Sequence, residues 1–399
     1  MNRKENGLEL DRHGFSTKKI RVAIIPPLFD PALSYQENVC AAALHRAGYE
    51  VRVFTSWHGV QELPGGKVAG AEVPFPVHRA RRVLKLKDSQ LPLDMAIAKE
   101  IRDFAPDVAL LMAPLHGLGW AWMKVLPAGC RVGAFFSDIP WHRENAWLRT
   151  WLKRKMARQI FRRADRVFAA TSQTTALLKL WGGDLLGSKL ETPGLTLDLS
   201  TLQPATPLPE SVLALRQRVS RLVVMVTRVT PEKALHQFFS QMERYLKTEE
   251  SDGCVIAGLG NDEPAQLLRK AVEVSPVKDR VLLLSALDSH QVGSLFRVSD
   301  FSLWNSVSIG IYQSLACGSP VVLYSGRGSA EHLIHEGING LWFHSHEAAP
   351  EVMARARGIL WDKSIIRHSV ASAAADKVYP ELVVKLLDGS LPEGSAGER

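Results

Sequence analysis

Short apolar runs rich in Val, Ile and Leu alternate with helix-period segments along almost the whole chain, and the series begins twice. In the first half the runs are IRVAIIP (20–26), EVRVFTS (50–56), DVALLMA (107–113), RVGAFFS (131–137) and DRVFAAT (165–171). In the second they are RLVVMVTR (221–228), CVIAGLG (254–260), RVLLLSA (280–286), DFSLWNS (300–306) and PVVLYSG (320–326). A strand apolar on both faces must be covered on both, so such runs separated by helices specify parallel sheets sandwiched by helices. The proline-containing stretch LSTLQPATPLPES (199–211) separates the two series. The expected fold is therefore α/β, with two doubly wound, Rossmann-like domains facing each other across a cleft.

The chain is long enough for two cores, with 399 residues of which 46% are hydrophobic. Its net charge of +8 is uneven, because residues 1–200 hold 29 Lys and Arg against 19 Asp and Glu while the rest is slightly acidic. That half suits an acidic or membrane-surface partner or simply a solvated basic face. No recognisable nucleic-acid-binding motif accompanies the charge, so no nucleic-acid partner is expected. Cys40, Cys130, Cys254 and Cys317 lie far apart without metal or disulfide spacing and read as reduced thiols. The polar start MNRKENGLELDRHG does not resemble a signal peptide, and the expected location is cytoplasmic. The most apolar segment, 108–126, is broken by Pro114, His116 and glycines, and reads as a strand and helix rather than a membrane span.

Ligands of doubly wound sheets sit beyond the carboxyl ends of the strands. Three such loops stand out. In VTRVTPEKALHQF (226–238), Arg228 ends a strand while Pro231, Glu232 and Lys233 open a helix. Two cations beside free N–H groups at a helix start suit a diphosphate. In IAGLGNDEP (256–264), Gly258 and Gly260 allow close backbone approach, although a plain tight corner has the same pattern. In NSVSIGIYQSLACGSPVV (305–322), Asn305 follows a strand, a small-residue turn through Ser308, Ile309 and Gly310 follows, and a buried helix carrying Gln313 ends at Gly318. Gly326, Arg327 and Gly328 form a further loop ahead of Glu331.

Taken together, RVTPEK, AGLGND, the 305–318 segment and GSAEHLIHEGINGLWF resemble the C-terminal domain of the retaining, nucleotide-sugar-dependent glycosyltransferases of family 4, which have the GT-B fold. SYQENVCAAALHRAGYEVRVFTS (34–56) and FRRADRVFAATSQTTALLKLWG (161–182) are similar to the N-terminal domain of that family. The resemblance implies an acceptor-binding domain over 19–200, a nucleotide-sugar-binding domain over 212–375, and a terminal helix over 376–390 crossing back to the first. It implies that Arg228 and Lys233 bind the donor diphosphate, and that Gly258, Gly260, Ser308, Ile309 and Gly310 line the donor site. The family's Glu-x7-Glu pair, facing the transferred sugar and the ribose, is replaced here by Asn305 and Gln313. Amides keep hydrogen-bonding capacity but cannot stabilise positive charge as carboxylates do. On the acceptor side, Ser34 and Tyr35 occupy the first loop, and Ser137-Asp138 stands where many relatives have His-Asp. Asp138 is then the candidate proton acceptor, with His142 as the neighbouring alternative.

The implied activity is sugar transfer with retention, from a nucleoside-diphosphate sugar to a glycan, lipid-linked or small-molecule acceptor. Arg228 and Lys233, with Asn305 and Asp138, would carry the chemistry, and neither cofactor nor metal is expected, since no Asp-x-Asp motif occurs. Two alternatives stay open: a catalytically impaired GT-B protein that binds a sugar nucleotide or partners an active transferase, and an epimerase of the same fold. Family habit places such chemistry in polysaccharide biosynthesis of the cell envelope. Residues 141–166, rich in Arg and Lys and carrying three Trp, resemble interfacial helices that meet an anionic membrane, here the inner face; HRARRVLKLK (78–87) adds a second basic patch.

Overall fold

The computed structural model describes residues 19–31, 35–56, 72–86, 89–93, 95–137, 147–202, 206–326, 330 and 332–388. In the first lobe the strands are β1 Arg21–Ile25, β2 Glu50–Ser56, β3 Val77–Ala80, β4 Val83–Leu86, β5 Ser89–Pro92, β6 Val108–Met112, β7 Arg131–Phe136, β8 Arg166–Ala169 and β9 Leu190–Glu191. In the second they are β10 Leu222–Val226, β11 Gly253–Leu259, β12 Val281–Ser285, β13 Phe301–Trp304, β14 Val321–Tyr324 and β15 Gly340–Phe343. The helices of the first lobe are α1 Gln36–Arg46, α2 Met95–Phe104, α3 Leu118–Trp122, α4 Trp147–Arg163 and α5 Ser172–Gly182. Those that follow are α6 Glu210–Arg218, α7 Leu235–Thr248, α8 Glu263–Glu273, α9 Ser289–Val298, α10 Ile309–Ala316, α11 Ala349–Gly358, α12 Lys363–His368 and α13 Ala375–Asp388.

Two separate parallel sheets form, in the orders β3-β2-β1-β6-β7-β8-β9 and β12-β11-β10-β13-β14-β15. This is the pair of doubly wound α/β domains expected from the apolar runs. In each sheet the order reverses once, between β1 and β6 and between β10 and β13, and the loops leaving those strands diverge to open a crevice there. Helices cover the faces through apolar stripes. In α7, Leu235, Phe238, Phe239, Met242, Tyr245 and Leu246 recur at helical spacing and are all buried, filling one layer of the second core. All four cysteines are free and buried.

Chain segments outside the strong apolar runs add elements that periodicity alone does not reveal. Edge strand β3 is VHRA, half polar, and pairs in parallel with β2. The antiparallel hairpin β4–β5 falls within and beyond the second basic patch.

The terminal helix α13 packs on the first lobe, where Tyr379, Leu382, Val383 and Leu386 share a core with Val22, Ile24, Val108 and Leu110. The chain thus passes between lobes twice, and the two passages touch: Leu197 N–H donates to the Ala373 carbonyl and Ala375 N–H to the Leu197 carbonyl, both at 2.8 Å. Gln36, in the first turn of α1, clamps them. Its Oε1 accepts from the Thr196 N–H at 2.9 Å and the Tyr379 hydroxyl at 3.2 Å, while its Nε2 donates to the Thr196 carbonyl at 2.9 Å. At the other end of α1, Arg46 ion-pairs with Asp198 at 3.0 Å and Asp376 at 2.7 Å.

Candidate active site

The crevice of the second lobe is built from the loops after β10, β11 and β13. Residues 227–234 leave β10 differently from the expected helix start. Pro231–Lys233 form one 3-10 turn, Ala234 takes the left-handed conformation at φ +46°, and α7 begins only at Leu235. The left-handed residue turns the Lys233 carbonyl out of the helix, where it accepts from the Asn305 side-chain Nδ2 at 2.7 Å. The Lys233 ammonium folds back to donate to the Thr227 hydroxyl. Arg228 lies exposed beside it. Thr230, whose buried Oγ1 makes no hydrogen bond among the described residues, belongs to the same loop.

Gly258 supports this loop from below. At φ +107° it occupies a conformation open to glycine, and a Cβ there would stand 2.3 Å from the Thr227 carbonyl oxygen. Its lack of a side chain therefore lets β11 pass close to the residue before Arg228. The Gly260 carbonyl accepts from Arg269 Nη2 at 2.8 Å. In the third loop, Ser308 is extended at the N-cap of α10 without using its hydroxyl as a cap, and Ile309 is half-buried. Gly310 abuts the Trp304 indole, with a Cβ position 2.4 Å from the ring. That indole is fixed by its Nε1 donating to Ser302 Oγ at 2.7 Å, and Ser302 pairs with Ser314 Oγ at 2.7 Å. Asn305 and Gln313 are both buried, at 2% and 7% exposure. The Gln313 amide makes no hydrogen bond among the described residues.

From the first lobe, Tyr35 precedes α1 and its carbonyl accepts the Asn38 and Val39 N–H groups. Burial raises the Tyr35 phenol above its ordinary value, and the Arg228 guanidinium opposes that rise. Glu37, in the same first turn, was not singled out from sequence; desolvation lifts its carboxyl to about 7. A carboxylate in a helix's first turn is ordinarily favoured in its charged form, so sequence pattern points the other way. Ser137 follows β7 and is half-buried. Ser34, Asp138 and His142 lie outside the described residues, as do Arg327, Gly328 and Glu331. The structure therefore joins Lys233, Gly258 and Asn305 through the loop 227–234, which also carries the exposed Arg228.

Comparison with known proteins agrees with this architecture. Residues 38–185 match a family model described as glycosyl transferase 4-like domain, and residues 216–376 match one described as glycosyl transferases group 1. No curated protein matches by sequence. Among solved structures, a glycosyltransferase from Rickettsia africae superposes with a TM-score of 0.68 at 15% identity, covering 95% of this chain and 100% of that one. Anabaena Alr3699/HepE in complex with UDP-glucose superposes with a TM-score of 0.68 at 14% identity, covering 92% of this chain and 100% of that one. Sucrose-phosphate synthase from Thermosynechococcus elongatus gives 0.63 at 14% identity, covering 93% and 100%. Among the described residues no helix is long and apolar enough to cross a membrane. Each lobe thus matches a glycosyltransferase family model, and the chain has the two-domain GT-B fold of these solved structures.

Proposed function

We propose that the protein transfers a sugar from a nucleoside-diphosphate sugar, held by the second lobe, to an acceptor held by the first, with retention of anomeric configuration. The observation that carries this reading is the convergence at one switch point of the exposed Arg228, the Lys233 turn fixed by Asn305, and the N-terminal end of α10. An exposed guanidinium, an ammonium and free N–H groups suit a diphosphate, and their charge opposes that developing on the leaving phosphate. UDP-glucose bound to the Anabaena protein of the same fold adds support. In this reading Asn305 and Gln313 would hydrogen-bond sugar and ribose hydroxyls as amides, without carboxylate charge. The reading requires no metal or other cofactor.

In the step proposed, the bond between the anomeric carbon and the phosphate oxygen breaks while the acceptor oxygen bonds to that carbon from the same face. The acceptor's proton passes to the departing phosphate oxygen, and the nucleoside diphosphate leaves. Such a step requires no side-chain base at Asp138 or His142, because the leaving group takes the proton. The acceptor is a glycan or a lipid-linked sugar, consistent with a role in cell-envelope polysaccharide assembly at the cytoplasmic side. Incubation with a panel of nucleotide sugars, scoring binding and nucleoside diphosphate release separately, tests this. Release that depends on Arg228 and Lys233 is expected; binding without release for every acceptor tried would instead leave a sugar-nucleotide-binding partner protein.

A further inference from the structure

Helix α4 is built in two halves. Its later half belongs to the fold, with Ala157, Ile160 and Phe161 fully buried in the core of the first lobe. Its first two turns do the reverse. Trp147 is 79% exposed, Leu148 52%, Trp151 45% and Leu152 47%. At about 3.6 residues per turn, these four form one stripe on the side of the helix opposite Ala157, Ile160 and Phe161. Lys155, Arg158 and Arg162 continue that same outward side, and Lys155 Nζ stands 3.7 Å from the centre of the Trp151 ring. The whole helix carries seven Lys or Arg and no carboxylate.

Large apolar side chains turned outward on a helix need a partner, and here the partner must also accept dense positive charge. Two copies of this chain meeting through this face would bring like charges together around the apolar stripe, which disfavours self-association. A bilayer with anionic headgroups satisfies both demands. Trp and Leu enter the boundary between headgroups and acyl chains while Lys and Arg stay at the phosphates. The basic hairpin β4–β5 stands close by. It packs on the turn Pro114–His116, which α4 also touches, and it presents Leu84 outward beside the exposed Arg81 and Arg82.

We propose that the first two turns of α4 dock the protein on an anionic membrane surface. Because α4 returns from the carboxyl end of β7, and Pro114–His116 follows the carboxyl end of β6, the docked surface adjoins the rim of the first-lobe crevice. Docking would therefore hold that crevice against the bilayer, where a membrane-anchored acceptor is presented. The last point rests on the transferase reading; the docking itself does not.

The test is flotation of the full chain with phosphatidylcholine vesicles, with and without phosphatidylglycerol, together with tryptophan emission and calorimetry with UDP on the same samples. Flotation with the phosphatidylglycerol vesicles and a blue shift of the emission are expected, with affinity at least about tenfold weaker on phosphatidylcholine alone. A double variant, Trp147→Ser with Trp151→Ser, should lose about tenfold or more in vesicle affinity while still binding UDP like the parent. A second variant, Lys155→Glu with Arg158→Glu, should lose affinity for the anionic vesicles in particular. Failure to float with phosphatidylglycerol vesicles, or parental affinity in both variants, overturns the proposal. Self-association that the Trp variant abolishes, without vesicle binding, would assign the face to a second copy. Vesicle binding without UDP binding would leave the docking standing and remove the transferase reading.

Discussion

Asn305 Nδ2 donates to the Lys233 carbonyl at 2.7 Å, tying the loop after β13 to the loop after β10 across the reversal of strand order. The bond needs a donor on residue 305. A carboxylate at this position would place acceptor against acceptor, so the amide has a structural task that a Glu could not perform unchanged.

Asn305→Asp, which keeps the shape and removes the donor, should cost about 1–3 kcal/mol of stability through the unpaired buried carbonyl. It should also weaken nucleotide-sugar binding by loosening the Lys233 turn. Urea denaturation and calorimetry with UDP-glucose read the two effects. Unchanged stability and affinity would show that the contact is dispensable.

Gly258→Ala should be severe, since the new Cβ meets the Thr227 carbonyl at 2.3 Å and the backbone must hold φ +107°. A loss of roughly 2 kcal/mol or more is expected, together with weaker UDP binding, because the same strain displaces the residue before Arg228. Gly183→Ala, also at positive φ but with nothing within 4 Å of its Cβ position, separates conformational strain from collision and should cost less in denaturant titrations.

Glu37 gives stability a pH dependence. Its carboxyl is raised by burial from an ordinary 4.5 to about 7, so the folded chain binds the proton more tightly than the unfolded one. Between those values the folded state carries the extra proton, and stability falls as pH rises through the window. Glu37→Gln should remove this part of the slope and leave the variant more stable than the parent at pH 8 by about 1–3 kcal/mol. Urea midpoints of both proteins at pH 5 and pH 8 provide the comparison; parallel behaviour would contradict it.

Gln36 clamps both passages between the lobes. Gln36→Ala leaves the Thr196 backbone N–H and carbonyl without their side-chain partner, while the Tyr379 hydroxyl keeps the residue-36 carbonyl at 3.2 Å, and a loss of about 2 kcal/mol is expected. Hydrogen exchange should accelerate in Thr196 and the α13 segment rather than in the β10 or β13 strands. Uniform exchange throughout would argue against a local clamp.

The architecture is legible in the sequence wherever a strand is apolar on both faces. Strands β1, β6, β10 and β13 bury nearly every residue, so their runs are apolar apart from Arg21 at the start of β1 and the buried Ser302 in β13. Edge strand β3 has one neighbour and a polar sequence, and its pattern does not separate it from a loop. The positions of Arg228, Lys233 and Asn305 at strand ends follow from the same runs. Their mutual contact does not, because Asn305 and Lys233 are 72 positions apart and meet only through the strand order. Glycine shows the same limit. Gly258 and Gly310 read as places for a ligand to approach, yet the atoms they admit are the Thr227 backbone and the Trp304 ring. Burial of Glu37 likewise depends on what packs around α1, including Tyr379 from the far end of the chain.

The account turns on whether Arg228 and Lys233 grip a diphosphate. Calorimetric titration of UDP and UDP-glucose, with other nucleotide sugars in parallel, into the parent, Arg228→Ala and Lys233→Ala tests it most directly. Binding by the parent that weakens about tenfold or more in each variant, and falls with added salt, is the expected result. Measurable binding that both variants retain in full, or no binding of any nucleoside diphosphate by the parent, would contradict it.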